Sequence, residues 1–133
     1  MLAVILTGEL SCKKEATQAE YNVSYRLLAE KTWYLAYSES ITGSNTITKS
    51  YVGQSTYFIN YLKNLTTLDS DGYEGEYSLQ KTDGHLIIKV AAKTANGNLS
   101  NYQYKIVSLG AKNLILNYTT GNTLTQLYFT TQR

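Results

Sequence analysis

Thirteen tyrosines stand in this 133-residue chain beside two phenylalanines and one tryptophan, and they are the side chains most able to do chemistry together. A tyrosine offers an apolar ring and a hydroxyl that both donates and accepts, so several on one inward face would line a cavity with rings and a few polar tips. The other candidates are sparse. His85 is the only histidine and Cys12 the only cysteine. With one of each, neither a nucleophile triad nor a zinc site assembles from spacing, and the chain reads as a non-enzymatic protein with no metal and no cofactor. Asp69, Asp71, Glu74 and Glu76 surround Gly72 at spacings a calcium loop could use. No bidentate acid follows at the far end of the loop, and Glu74 and Glu76 fall on the solvent parity of a strand, so a solvated acidic turn is expected.

Hydrophobic residues make up 43% of the chain and charged residues 17%, which is a globular composition with room for one domain. A formal charge of +2, without a basic patch interleaved with aromatics, gives no case for nucleic acid as a partner. Proline is absent, so Gly, Asn, Asp and Ser must shape the turns.

The elements that would position the tyrosines follow from periodicity. Tyr21 to Lys31 has the spacing of a short helix, with Tyr21, Val23, Tyr25, Leu27 and Leu28 as its apolar members. Strand alternation follows over Thr32 to Ser40, with Trp33, Leu35 and Tyr37 on one face, then over Thr46 to Val52 and Tyr57 to Leu65. From Tyr73 to Tyr118 four runs alternate with a period of two, broken by Asp83-Gly84 and Asn96-Gly97, pairs that favour two-residue hairpin turns with positive φ. A last strand is expected from Thr123 to Thr131. The sum is an all-β protein, a single antiparallel up-and-down barrel of about eight strands with a short N-terminal helix.

Such a barrel is just wide enough to be filled by side chains or to hold one small ligand. The parities place Tyr37, Tyr73, Tyr77, Tyr102, Tyr104, Tyr118 and Tyr128 inside. A buried hydroxyl without a partner costs about 1 to 3 kcal/mol, so this many phenols fit a wet cavity or an amphipathic ligand better than a dry core. The expected partner is a small hydrophobic or amphipathic molecule bound by those seven residues. The alternative is a filled barrel that binds a glycan or a protein through outer tyrosines such as Tyr34, Tyr51 and Tyr57.

Two resemblances extend this. Leu10-Ser11-Cys12, after the apolar run Met1 to Leu6 and before Lys13-Lys14, resembles the lipobox of bacterial lipoproteins, in which the cysteine becomes an acylated N-terminus. The run is shorter than the roughly seven to fifteen apolar residues of an export signal, so residues 1–12 are expected to be the end of a truncated signal peptide. Residues 13–20 would be a flexible tether and 21–133 the barrel domain. No segment reaches the roughly twenty apolar residues of a spanning helix, which leaves the lipid as the membrane attachment.

Lys31-Thr32-Trp33-Tyr34-Leu35 after a short helix, the strand Gly75-Glu76-Tyr77, the Asp-Gly hairpin and the closing strand ending in Arg133 resemble the lipocalin-like domains of Gram-negative bacterial lipoproteins. The resemblance implies that Trp33 plugs the closed end of the barrel beneath Arg133, with Lys31 where the family has a glycine. It also implies a monomeric ligand-binding lipoprotein, anchored to the outer membrane through Cys12 and facing the periplasm or the cell surface.

Overall fold

The computed structural model describes residues 18–52 and 57–132. A helix, α1 (residues 18–28), leads into nine strands: β1 (Lys31–Thr42), β2 (Asn45–Ser50), β3 (Phe58–Tyr61), β4 (Thr66–Asp69), β5 (Glu74–Thr82), β6 (His85–Lys93), β7 (Leu99–Leu109), β8 (Asn113–Thr120) and β9 (Thr123–Thr130). All neighbours are antiparallel, each strand following its predecessor round the sheet except where β2 and β3 share one edge of β1. The other edge of β1 pairs with β9 from Tyr34 to Thr42, which closes the sheet into a barrel.

The barrel has eight wall positions although nine strands are counted. β2 lies against Tyr37 to Thr42 of β1, and β3 lies against Lys31 to Tyr34. The Tyr51 amide donates to the Ala36 carbonyl, and the Leu35 amide donates to the Tyr57 carbonyl. Tyr51 and Tyr57 thus bond adjacent residues of β1, and β2 and β3 occupy one wall position between them.

The stretch expected as one strand over Tyr57 to Leu65 is instead β3 and a tight turn, after which β4 begins at Thr66. That turn closes through the Leu62 amide on the Thr66 carbonyl and the Leu65 amide on the Leu62 carbonyl, with Leu65 at φ 64°. Without glycine or proline it carries no local turn signal. At Asp83-Gly84 both residues have positive φ, as the predicted two-residue hairpin requires. At Asn96-Gly97 only Gly97 does, and the longer loop between Lys93 and Leu99 closes through the Gly97 amide on the Thr94 carbonyl.

The helix begins no later than residue 18, so residues 18–20 belong to α1 rather than to a tether, and it ends at residue 28. Leu28 and Ser24, one turn apart, form its buried face, whereas Val23 is exposed. Glu30 then takes φ 60°, the left-handed conformation that ends helices, and Lys31 is already in β1.

The helix covers a free edge. β4 reaches only Glu74 to Glu76 of β5, which leaves the amides beyond it without a strand partner. The Leu79 amide donates to the Tyr25 hydroxyl at 2.9 Å and the Lys81 amide to the Tyr21 hydroxyl at 2.7 Å. Two tyrosines four residues apart on one helical face thus complete the hydrogen bonding of an edge that would otherwise invite another strand. Lys81 Nζ also pairs with Glu20 at 2.8 Å.

The core is the inward face of the wall: Trp33, Leu35, Ile59, Tyr61, Tyr77, Ile88, Val90, Ala92, Leu114, Leu116 and Phe129, with Leu28 of the helix beneath. Trp33 is fully buried, and its indole N–H donates to the Leu28 carbonyl at 3.0 Å, which caps the end of α1. Lys31 Nζ lies 5.6 Å from the Trp33 ring centroid and donates to the Ala111 carbonyl. Arg133, the cation expected over the indole, and Cys12, the expected lipidation site, lie outside the described residues.

Candidate functional site

The inward side chains differ in burial: Trp33, Leu114, Leu116 and Ile88 have no exposure. The inward positions Tyr102, Tyr104, Ile106, Tyr118, Thr125 and Leu127 on β7, β8 and β9 keep part of their surface accessible. Tyr102 and Tyr104 lie directly opposite Val90 and Ile88, which are buried, so all four share the inward face.

The rings form a continuous wall. Tyr118 lies 5.6 Å from Tyr104, and Tyr104 lies 5.2 Å from Tyr102, centroid to centroid. On the other side Tyr61 meets Tyr77 edge-on at 5.0 Å, and Tyr77 meets Tyr25 of the helix at 6.0 Å. These separations are those of favourable tilted and edge-to-face aromatic pairs.

The hydroxyls are organised around Asp69. Its Oδ1 accepts the Asp71 and Tyr73 amides at 3.0 and 2.9 Å, and its Oδ2 accepts the Tyr57 hydroxyl at 3.0 Å. Tyr102 lies within electrostatic reach of Tyr57 and Asp69. β4, β5 and β6 separate β3 from β7 around the wall, so the cluster reaches across the interior. Asp69 is the one charged side chain among the described residues that is buried, which corrects its reading as part of a solvated turn; Glu74 and Glu76 are exposed as expected.

Burial and neighbouring charge hold these phenols protonated. Desolvation pushes the Tyr57, Tyr61 and Tyr102 hydroxyls well above the usual phenol range, with neighbouring tyrosines and the Asp69 carboxylate adding to it. Desolvation also pushes Tyr77 and Tyr104 up to about 12, Tyr77 beside Tyr25 and Tyr104 beside Tyr118. At neutral pH the cluster is a set of hydroxyl donors and acceptors about one carboxylate.

Of the seven tyrosines expected inside, Tyr73, Tyr77, Tyr102 and Tyr104 pack on or within the core, and Tyr118 sits on the inward face with 37% of its surface exposed. Tyr77 reaches out of the cluster to donate to the Leu62 carbonyl at 3.0 Å. Tyr37 and Tyr128 are on the outer face. The β1–β9 register shifts between Leu35 and Tyr37, and the extra residue, Ala36, reverses the parity that had placed Trp33, Leu35 and Tyr37 on one side. Tyr128 follows its cross-strand partner outward, since Phe129 and Leu127 take the inward parity of β9.

Outside, Tyr37 and Tyr128 stack at 4.1 Å, and the Tyr128 hydroxyl donates to Glu39 at 2.8 Å. That bond, with smaller contributions from burial and the Glu39 charge, pushes Tyr128 up to about 12. Tyr51 and Tyr57, considered as outer residues, pack against the core instead, and Tyr51 shares a hydrogen bond with Ser38. Tyr57 and Asp69 could be found in the sequence only through their parity with Tyr61 and Thr67, which the unmarked β3–β4 turn conceals.

One concave region of about 840 Å³ is lined by Leu62, Leu68, Glu74, Leu99 and Asn101, and one of about 590 Å³ by Glu76, Tyr77, Lys89, Val90, Tyr102 and Gln103. A third, of about 380 Å³, lies beside α1 and is lined by Tyr25, Glu30, Lys63, Leu65 and Tyr77. Among the described residues no three His, Cys, Asp or Glu side chains gather where they could hold a metal ion, and no helix is long and apolar enough to cross a membrane. Compared with protein families, curated proteins and solved structures, the chain finds no match in any of the three.

Proposed function

We propose that this barrel is a non-enzymatic, lipocalin-like carrier of a small hydrophobic or amphipathic molecule. The observation that carries it is the contrast on one inward face: Ile88, Leu114 and Leu116 are sealed, while Tyr102, Tyr104 and Tyr118, paired with or next to them, keep accessible surface. Rings and hydroxyls together suit a ligand with an apolar body and a polar end. The same proposal makes the protein a lipoprotein acylated at Cys12 and attached to the outer membrane by lipid alone, on the periplasmic or the outer side, acting as a monomer. Mass spectrometry of small molecules extracted from protein purified from its native cells tests it. Recovery of a stoichiometric amphiphile is expected, and recovery of none would count against a carrier.

A second reading is favoured by the outer surface. The Tyr37–Tyr128 stack and the 840 Å³ concavity with exposed Leu62, Leu68 and Leu99 would suit a cell-envelope module that holds a glycan or a protein. Loss of such a partner on substituting Tyr37 and Tyr128, with the interior intact, would favour it.

A further inference from the structure

Among the described residues one charged side chain is buried, and it is negative. Asp69 is buried and accepts three hydrogen bonds, from the Tyr57 hydroxyl and the amides of Asp71 and Tyr73. Hydrogen bonds from neutral donors stabilise a carboxylate without cancelling its charge. No lysine or arginine among the described residues is buried with it. Lys31 lies over Trp33 and donates to the Ala111 carbonyl, and Lys49, exposed but on the inward parity opposite Ser38, lies over Tyr51.

Three of the partly accessible inward side chains are tyrosine rings: Tyr102, Tyr104 and Tyr118 follow one another at 5.2 and 5.6 Å. Tyr102 feels the Asp69 carboxylate, to which Tyr57 donates. A ring face carries negative electrostatic potential, and a cation resting on it is attracted most where water is excluded. A carboxylate one ring behind adds to that attraction, and the low dielectric between them preserves it. An anionic head would meet the opposite: negative ring faces, a buried like charge and no buried basic partner. A neutral head could use only the phenol hydroxyls, of which Tyr57 and Tyr77 already donate to Asp69 and the Leu62 carbonyl.

From this arrangement we infer that the barrel selects a cationic amphiphile, one with an ammonium or quaternary ammonium head placed against Tyr102 and Tyr104 beside the Tyr57–Asp69 pair and an apolar body along Tyr118, Ile106 and Leu127. The inference rests on the carrier function proposed above and names the class of its ligand.

Three probes with the same chain test it: dodecyltrimethylammonium, dodecyl maltoside and dodecyl sulfate, each titrated calorimetrically below its micelle-forming concentration into the intact protein. The ammonium probe is expected to bind about tenfold more tightly than the maltoside, with the sulfate weakest. Asp69→Asn keeps an oxygen for the Asp71 and Tyr73 amides and a polar contact for Tyr57 while removing the charge. It is expected to abolish most of the preference for ammonium and to leave maltoside binding within about twofold, since the removed interaction is with the head alone.

Tyr57→Phe keeps the charge and removes only its phenol partner, so the ammonium preference persists there. Equal affinity of all three probes, tighter binding of the sulfate, or loss of the preference in Tyr57→Phe would overturn the inference while leaving a carrier of another ligand class standing. Failure of all three probes to bind would remove the carrier function and the inference with it.

Discussion

Raising the pH should unfold this barrel from the inside. In the unfolded chain the phenols titrate near 10, whereas Tyr77 and Tyr104 are pushed up to about 12 in the folded state and Tyr57, Tyr61 and Tyr102 are displaced further in the same direction. A raised folded-state pKa means that, above pH 10, the unfolded chain has released protons the folded chain retains. The stabilisation from these groups is complete below pH about 10 and declines by about 1.4 kcal/mol per pH unit for each phenol above it. For five such phenols the loss at pH 11 is on the order of 7 kcal/mol, an upper value comparable with the whole stability of a domain. The barrel should therefore hold its fold past pH 10 and unfold cooperatively over the next one to two units.

Phenolate absorbance recorded alongside far-ultraviolet circular dichroism reads both events in one titration. The interior tyrosines should ionise together with the loss of β-structure, after the early-titrating fraction has already ionised. If all thirteen tyrosines ionise along a single curve centred near 10 while the sheet signal is unchanged, the burial of the interior cluster is wrong.

Other substitutions probe the elements that hold the cluster. Trp33→Phe keeps an aromatic plug but removes the donor to the Leu28 carbonyl, and chemical denaturation should report a loss of about 2 to 4 kcal/mol from the unpaired carbonyl and the smaller ring. Gly75→Ala would set a methyl 2.1 Å from the Ala91 carbonyl oxygen and 2.5 Å from Ala92 Cα, so β5 must shift, with a midpoint change of at least about 2 kcal/mol. Glu30→Gly relieves the left-handed φ of 60° after α1 and gives up only an exposed ion pair with Lys63, so it should stabilise by about 0.5 to 1 kcal/mol. Tyr25→Phe leaves the Leu79 amide without its hydroxyl acceptor, and hydrogen exchange at Leu79 should quicken while amides of the β8–β9 pair keep their protection.

The strands of the meander were legible because each has one buried face, so the period of two appears in residues such as Tyr77, Leu79, Ile88 and Val90 without knowledge of their partners. Closure was legible only as a consequence of the strand count. What escaped depends on contacts between distant segments. The bulge at Ala36 exists because β1 changes register against β9, more than ninety positions away along the chain, and no local residue type announces it. Its effect was to move Tyr37 and Tyr128 out of the interior. The turn at Leu62 to Leu65 has no glycine or proline, so β4 was not separated from β3, and Asp69 looked like part of an acidic surface loop. Its burial becomes intelligible only when Tyr57, just before β3, is placed beside it. The helix was anticipated, but its task was not, because the amides of Leu79 and Lys81 need hydroxyl acceptors only where β4 falls short.

Entry of a small amphiphile among the barrel tyrosines can be followed through amide chemical shifts during a titration with dodecyl maltoside. Saturable changes are expected at Tyr102, Tyr104, Ile106, Tyr118 and Leu127, and at Asp69 and Tyr73 beyond them, with Glu39, Gln126 and Leu99 unmoved. Changes confined to the outer face around Tyr37, Glu39 and Tyr128, or no saturable change at any amide, would contradict that entry.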